Sequence, residues 1–296
     1  MQVAAIGLGS MGYGMAASAL RAGHTVWGFD VNSAQKDKFR ADGGADGSLA
    51  DIAGSLDAAM VVVLNAAQTE NVLFGDNGIV PKMKPGSVVL ACATVAPEFA
   101  RTMASRCAES SVLYLDAPIS GGATKAAEGR LSIMASGNTE SFAAARPLLD
   151  AIAETVFELG TAAGAGSAMK AVNQLLAGVH IAAMAEAMTF GMTQGVDAET
   201  FLDVIPKCAG TSWMLENRAP HIAKGDYTPL SSVNIWPKDL GIVLDIARNA
   251  DFNAPITTAA LQQFKAAADM GLGGEDDAAV AKVYARGAGL TLPGES

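Results

Sequence analysis

Lys170 and Asn173 are the residues best suited to proton chemistry in this chain. They stand three apart in a largely apolar stretch, Ser167 to Gln194, that reads as a long helix. An i, i+3 pair shares one helix face. A lysine on such a helix is expected to lose solvent. That lowers its pKa from about 10.4 and suits it to general acid or base work. Asn173 is placed to hold the lysine or a substrate hydroxyl. The alternative is a Lys170 that snorkels from a partly exposed first turn. Lys238-Asp239 is a second charge pair, at a helix start after Trp236-Pro237. Taken alone it reads as a solvated N-terminal turn.

A different chemistry is written at the start of the chain. Gly7-Leu8-Gly9-Ser10-Met11-Gly12 follows the apolar run Val3 to Ile6 and opens a helical stretch to Arg21. A second apolar run, Thr25 to Phe29, ends on Asp30. Strand, glycine turn, helix, strand and acid in this order suit a dinucleotide. Gly7 permits a tight turn, Gly9 leaves the backbone open to a pyrophosphate, and Gly12 lets the helix approach the strand. The helix N-terminus then offers N–H groups to phosphate. Asp30 is placed to accept both ribose hydroxyls and to repel a 2′-phosphate, which favours NAD over NADP.

Further polar residues follow the later apolar runs. Leu64-Asn65 and Thr94 are placed to reach the cofactor, or else to serve as ordinary loop polars or helix caps. Ser120-Gly121-Gly122 exposes successive N–H groups with no side chains over them, a concavity suited to a carboxylate. Its alternative is a flexible glycine turn.

The elements that must position these groups change character near residue 160. Before it, runs at 3–6, 25–29, 59–64, 87–91, 112–117, 131–135 and 155–158 read as strands, separated by helical stretches. This alternation predicts an α/β fold, a doubly wound, mostly parallel sheet of Rossmann type. After it only helices are expected. The chain therefore divides into residues 1–162, a cofactor-binding domain, and 163–296, an all-α domain. Leu175 to Met192 matches a membrane span in length. It contains His180 and Glu186 and lacks basic flanks, so it reads as a helix buried at the centre of the second domain. The same helix suggests a homodimer or homotetramer. Leu290 to Ser296 reads as a loose tail.

Composition narrows the partners. The net charge of −10 argues against nucleic acid and anionic membranes, both of which need a basic footprint. Three cysteines, Cys92, Cys107 and Cys208, form no C-x-x-C pair, and no Cys/His cluster has metal spacing. They read as free thiols in a reducing cytoplasm, with no metal site. No basic region followed by an apolar one begins the chain, so no signal peptide is expected.

Taken together, the chain resembles the β-hydroxyacid dehydrogenase family, which includes 3-hydroxyisobutyrate dehydrogenase and tartronate semialdehyde reductase. Four segments carry the resemblance, in order: Ile6 to Gly12, Asp116-Ala117-Pro118-Ile119-Ser120-Gly121-Gly122, Gly164-Ala165-Gly166 through Lys170 and Asn173, and Lys238-Asp239-Leu240. The resemblance implies that Lys170 is the catalytic acid/base. It implies that Ser120, Gly121, Gly122 and Asn173 bind a small carboxylate substrate, and that Thr94 and Lys238 contact NAD near the nicotinamide. Asn65-Ala66-Ala67-Gln68, residues 175–180, Gly225-Asp226-Tyr227-Thr228-Pro229 and Gly274-Glu275-Asp276-Asp277 are similar to the subgroup acting on four-carbon sugar acids. A reading of another class is a non-catalytic dinucleotide-binding module, against which Lys170 argues. Lys170 argues likewise against imine reduction.

Overall fold

Five of the apolar runs form one parallel sheet in the computed structural model of the chain, which describes residues 1–295. The strands are β1 (Gln2–Ile6), β2 (Thr25–Phe29), β3 (Ala58–Val61), β4 (Val88–Ala91) and β5 (Leu113–Asp116), in the order β2-β1-β3-β4-β5. They are apolar throughout because both faces are covered. Val3, Ala5, Met60 and Leu90 face a cluster that includes Met15 and Leu148. Ala4, Ile6, Val61 and Val89 face another, with Leu73 and Met103. The covering helices are α1 (Gly12–Arg21), α2 (Ser33–Ala41), α3 (Leu49–Ile52), α4 (Ala66–Phe74), α5 (Pro97–Glu109), α6 (Gly122–Glu128) and α7 (Thr139–Ile152).

The expected single sheet is interrupted after β5. A second sheet holds β6 (Ile119–Ser120), β7 (Leu131–Ala135) and β8 (Ala153–Glu158), with β6 antiparallel to β7. Pro118 has no N–H to give a ladder, so the run 112–117 does not continue as one strand. The two sheets stay joined by paired backbone bonds between Asp116 and Ser136, 3.0 and 2.8 Å long. Helices α4 and α6 open directly behind the carboxyl ends of β3 and β6. Both are short, and Asn65 caps the first while glycines open the second.

The rest of the chain is helical: α8 (Ala165–Thr193), α9 (Ala198–Val204), α10 (Trp213–Lys224), α11 (Ile235–Asn249), α12 (Pro255–Ala267) and α13 (Ala281–Ala288). The chain separates into two compact units, residues 1–170 and 171 onward, and the division falls inside α8. The second unit has its own core of Ile181, Met184, Met188, Leu215, Trp236, Leu240 and Phe264, with Trp236 stacked on Phe264 at 5.4 Å. Buried Asp277 accepts from Arg218 Nε at 2.5 Å and from Trp236 Nε1 at 2.9 Å. Burial raises the pKa of Asp277, against the opposing pull of the Arg218 guanidinium.

Two expectations for this half are corrected. The tail is not loose where described: Leu292 is buried in the helical core, and its N–H donates to Glu295. Ser296 lies outside the described residues. Helix α8 is not buried all round. Ile181, Met184, Ala185 and Met188 pack into the core, whereas Met169, Val172, Leu176 and Phe190 are exposed. By length and composition alone α8 would pass for a membrane span, yet only 39% of its most apolar window is buried. The chain covers one side of this helix and leaves the other open. The three cysteines are free, and burial pushes the Cys92 and Cys107 thiols up to about 12.

Candidate active site

In the parallel sheet Ile6 pairs with Phe29 and Val61, Val61 with Ala91, and Ala91 with Asp116. The carboxyl ends of five strands therefore form one row. The glycine turn, Asp30, Leu64-Asn65, Thr94 and the segment after Asp116 all follow from that row, where ligands of open α/β sheets bind. The strand order reverses between β1 and β3, which puts the glycine turn at the switch point.

The turn has the geometry a pyrophosphate requires. Gly7 takes φ +95°, and its N–H donates to Phe29 O at 2.8 Å. A Cβ on Gly12 would collide with the Gly7 carbonyl and sit 3.2 Å from Val62 Cβ, so only glycine lets α1 approach β1 and β3 so closely. A Cβ on Gly9 would meet nothing within 4 Å: that glycine faces open space. No side chain caps α1 at Met11 and no acidic residue stands in its first turn. Ser10 is exposed and Met11 half-buried beside it, and Leu8 is buried beneath. Asp30 is bound into the same turn: Oδ2 accepts from Leu8 N–H at 2.6 Å and Oδ1 from Asn32 N–H at 2.8 Å. These residues fit a dinucleotide.

Leu64 and Asn65 show a structural role. Asn65 Oδ1 accepts from Gln68 N–H at 2.9 Å and caps α4, and the exposed Leu64 donates its N–H to Gln68 Oε1. Thr94 is half-buried just beyond β4.

Lys170 and the Ser120 segment meet. Lys170 is 8% exposed, and Nζ donates to Ile119 O at 2.9 Å, the carbonyl immediately before Ser120. The first-turn snorkelling alternative does not describe this side chain. Gly121 and Gly122 take φ +135° and +77°, and a Cβ on Gly122 would meet nothing within 4 Å. Around the start of α8 stand three residues with no assigned part, Ser136, Ser167 and Asp116, all hydrogen-bonded and buried.

Within the second unit, Asn173 and Lys238 belong to one polar chain. Asn173 Nδ2 donates to Gln174 Oε1 at 2.9 Å, and Gln174 Nε2 donates to Asp239 Oδ2 at 2.5 Å. Asp239 Oδ1 in turn pairs with Lys238 Nζ at 2.7 Å. Gln174 and its bond to Asp239 were not legible in the sequence. A 65-residue separation hides their contact from any local pattern. Among the described residues no group of three metal-ligating side chains occurs.

Comparison with known proteins agrees with this geometry. Residues 2–160 match the family model described as the NAD binding domain of 6-phosphogluconate dehydrogenase. Residues 164–284 match the one described as NAD-binding of NADP-dependent 3-hydroxyisobutyrate dehydrogenase. The L-threonate dehydrogenase of Cupriavidus necator is 50% identical over 295 residues, covering 99% of this chain and 98% of that protein. The chain belongs to the β-hydroxyacid dehydrogenase family. It is an NAD-binding oxidoreductase of small hydroxy acids, as its resemblance implied. The L-threonate dehydrogenase of Escherichia coli K12 is 45% identical to this dehydrogenase, over 99% of this chain and 96% of that one. A crystal structure of 3-hydroxyisobutyrate dehydrogenase from Salmonella typhimurium superposes with a TM-score of 0.90 at 45% identity, covering 96% of this chain and 99% of that one. The binding-module alternative finds no support among these relatives.

Proposed function

We propose that this dehydrogenase oxidises L-threonate to 2-dehydro-L-erythronate with NAD, using Lys170 as acid/base. The observation that carries the reading is the buried Lys170 amine held on the Ile119 carbonyl, one residue before the Ser120-Gly121-Gly122 segment. The names of the Cupriavidus and Escherichia relatives support the substrate. In this reading residues 1–162 hold the cofactor, through Gly7 to Gly12, Asp30, Leu64, Asn65 and Thr94, and residues 163–296 supply Asn173 and Lys238.

NAD held by Gly7 to Gly12 and Asp30 would supply the hydride acceptor. Ser120, Gly121 and Gly122 bind the substrate carboxylate through backbone N–H groups, and Asn173 binds a substrate hydroxyl. Neutral Lys170 takes the proton of the carbinol hydroxyl as the hydride leaves the same carbon. In reduction, protonated Lys170 returns that proton to the developing alkoxide. Lys238 would contact the cofactor near its nicotinamide end. Two hydrogens leave the carbinol, one as hydride and one as the proton on Lys170.

The name of the Salmonella structure favours 3-hydroxyisobutyrate as a second reading. An NAD-reduction assay with L-threonate, D-threonate, D-erythronate, glycerate and 3-hydroxyisobutyrate decides, with tartronate semialdehyde and NADH in the reverse direction. L-Threonate is expected to lead in kcat/KM by about tenfold or more, because a site built to bond substrate hydroxyls rejects acids lacking them. No turnover of L-threonate alongside good turnover of another acid would end the substrate assignment.

The reading also includes a homodimer or homotetramer in the cytoplasm. Met169, Val172, Leu176 and Phe190 recur at i, i+3, i+7 and i+21 on α8, one exposed apolar stripe with Ala183 and Ala187 between. Three free thiols suit the compartment. Light scattering is expected to give a dimer or larger for the wild type and a smaller species for Leu176→Glu. A monomeric wild type would refute the assembly.

A further inference from the structure

Helix α8 begins without a local cap. It starts at Ala165 after Gly164 in a left-handed conformation, φ +109°, and neither residue has a side chain able to accept from the first N–H groups. Those groups have no partner within the helix. A carboxylate from a strand 48 to 51 residues earlier takes them. Asp116, at the end of β5, accepts at Oδ2 from Gly164 N–H (2.9 Å), Ser167 N–H (2.8 Å) and Ser136 Oγ (3.2 Å). Its Oδ1 accepts from Ser167 Oγ at 2.7 Å. Ser136 Oγ in turn accepts from Gly166 N–H at 2.9 Å. The carboxylate is 1% exposed. Burial raises its pKa, and the bonds from Ser167, Gly164 and Ser136 oppose that rise. A buried anion at a helix N-terminus is also favoured by the helix dipole.

The position of this cap bears on catalysis. Lys170 follows Ser167 by three residues on the same helix face. Its amine donates to Ile119 O, and Ile119 follows Asp116 by three residues on the other side of the contact. One short segment, stiffened by Pro118, thus grips α8 twice, at Ser167 and at Lys170. Gly166 makes the grip close: a Cβ there would strike the Met134 carbonyl and lie 2.9 Å from the Asp116 carbonyl oxygen. The first turn of α8 has no room to slide while the carboxylate holds it.

We propose that Asp116 is a positioning residue for Lys170, fixing the first turn of α8 so that the amine stays on the Ile119 carbonyl. The proposal rests on the reading of Lys170 as acid/base. Asp116→Asn keeps the volume but puts an NH2 against converging donors. It also removes a buried negative charge that is bonded to α8 one turn before Lys170, which lowers the pKa of the lysine. A reacting group misplaced by about 1 Å costs roughly a hundredfold.

The test compares wild type, Asp116→Asn, Lys170→Ala and the double variant in kcat, in the pH profile of kcat/KM and in NAD affinity by fluorescence titration. Asp116→Asn is expected to lose about 10- to 100-fold in kcat, to move the limb set by the lysine to lower pH, and to bind NAD as the wild type does. The same substitution in the Lys170→Ala background is expected to cost nothing further. An equal loss in both backgrounds, or an unmoved pH limb, would show a structural role only and overturn the proposal. Should Asp116→Asn not fold, Ser167→Ala removes one of the four bonds and leaves the carboxylate in place. With the charge kept, it is expected to leave that limb in place and to cost kcat less, a loss absent in the Lys170→Ala background, and wild-type kinetics there overturn the proposal too. Near-normal turnover of Lys170→Ala would instead fell the acid/base reading, whereas a crippled Lys170→Ala beside an unaffected Asp116→Asn fells this proposal alone.

Discussion

Lys170→Ala is expected to lower turnover of L-threonate by about a hundred- to ten-thousand-fold, the usual range for general acid/base catalysis, while NAD affinity changes little. The amine is buried and donates to a backbone carbonyl, that of Ile119. A buried amine on a neutral acceptor suits a group that gives up and takes back a proton. Lys170→Arg separates this role from simple charge. A guanidinium stays protonated at any assay pH and cannot serve as a base, so Arg is expected to be as slow as Ala in the oxidation direction. Lys170→Met, which keeps most of the apolar stem, controls for lost packing along α8. Stopped-flow or steady-state NADH absorbance reads all three, with NAD titrations on the same preparations. Turnover within about threefold of wild type for the Ala variant would remove Lys170 from the acid/base chemistry.

What was legible in the sequence was local. The glycine turn reads directly because Gly7, Gly9 and Gly12 are near neighbours and each answers to one steric demand, and the collision awaiting a Cβ at Gly12 is such a demand. The apolar runs of β1 to β5 read as strands because a sheet covered on both faces needs no polar alternation. What stayed hidden depends on pairing across long separations. Asp116 reaches Gly164 and Ser167, and Gln174 reaches Asp239, and no periodicity encodes either contact. Pro118 was visible, but its effect needed knowledge of the later strand β7, which pairs antiparallel with the chain just after it. The open face of α8 was hidden for a similar reason. An apolar residue looks the same in a sequence whether its neighbour is a helix of the same chain or of a second copy.

Asp30→Ala is expected to shift the ratio of kcat/KM for NAD over NADP by about a hundredfold toward NADP, from the loss of charge-assisted hydrogen bonds of roughly 1.5–3 kcal/mol and of repulsion toward a 2′-phosphate. The question is a real one for this chain, because the family model over residues 164–284 is described for an NADP-dependent enzyme. Asp30 follows β2, and its two oxygens already accept from Leu8 and Asn32 N–H groups. Each carboxylate oxygen carries a second lone-pair direction, so the same group that ties β2 to the glycine turn retains acceptors for the ribose hydroxyls. A 2′-phosphate brought to that place would meet a carboxylate already fixed by the Leu8 and Asn32 N–H groups. Asp30→Asn divides the two effects. It keeps one oxygen as acceptor and removes the charge, so it is expected to weaken NAD less than Ala does while still admitting NADP. Steady-state kinetics with both cofactors on the three proteins measure this. If Ala and Asn leave the ratio where the wild type has it, the carboxylate serves only the turn, and the choice of cofactor is made by other residues.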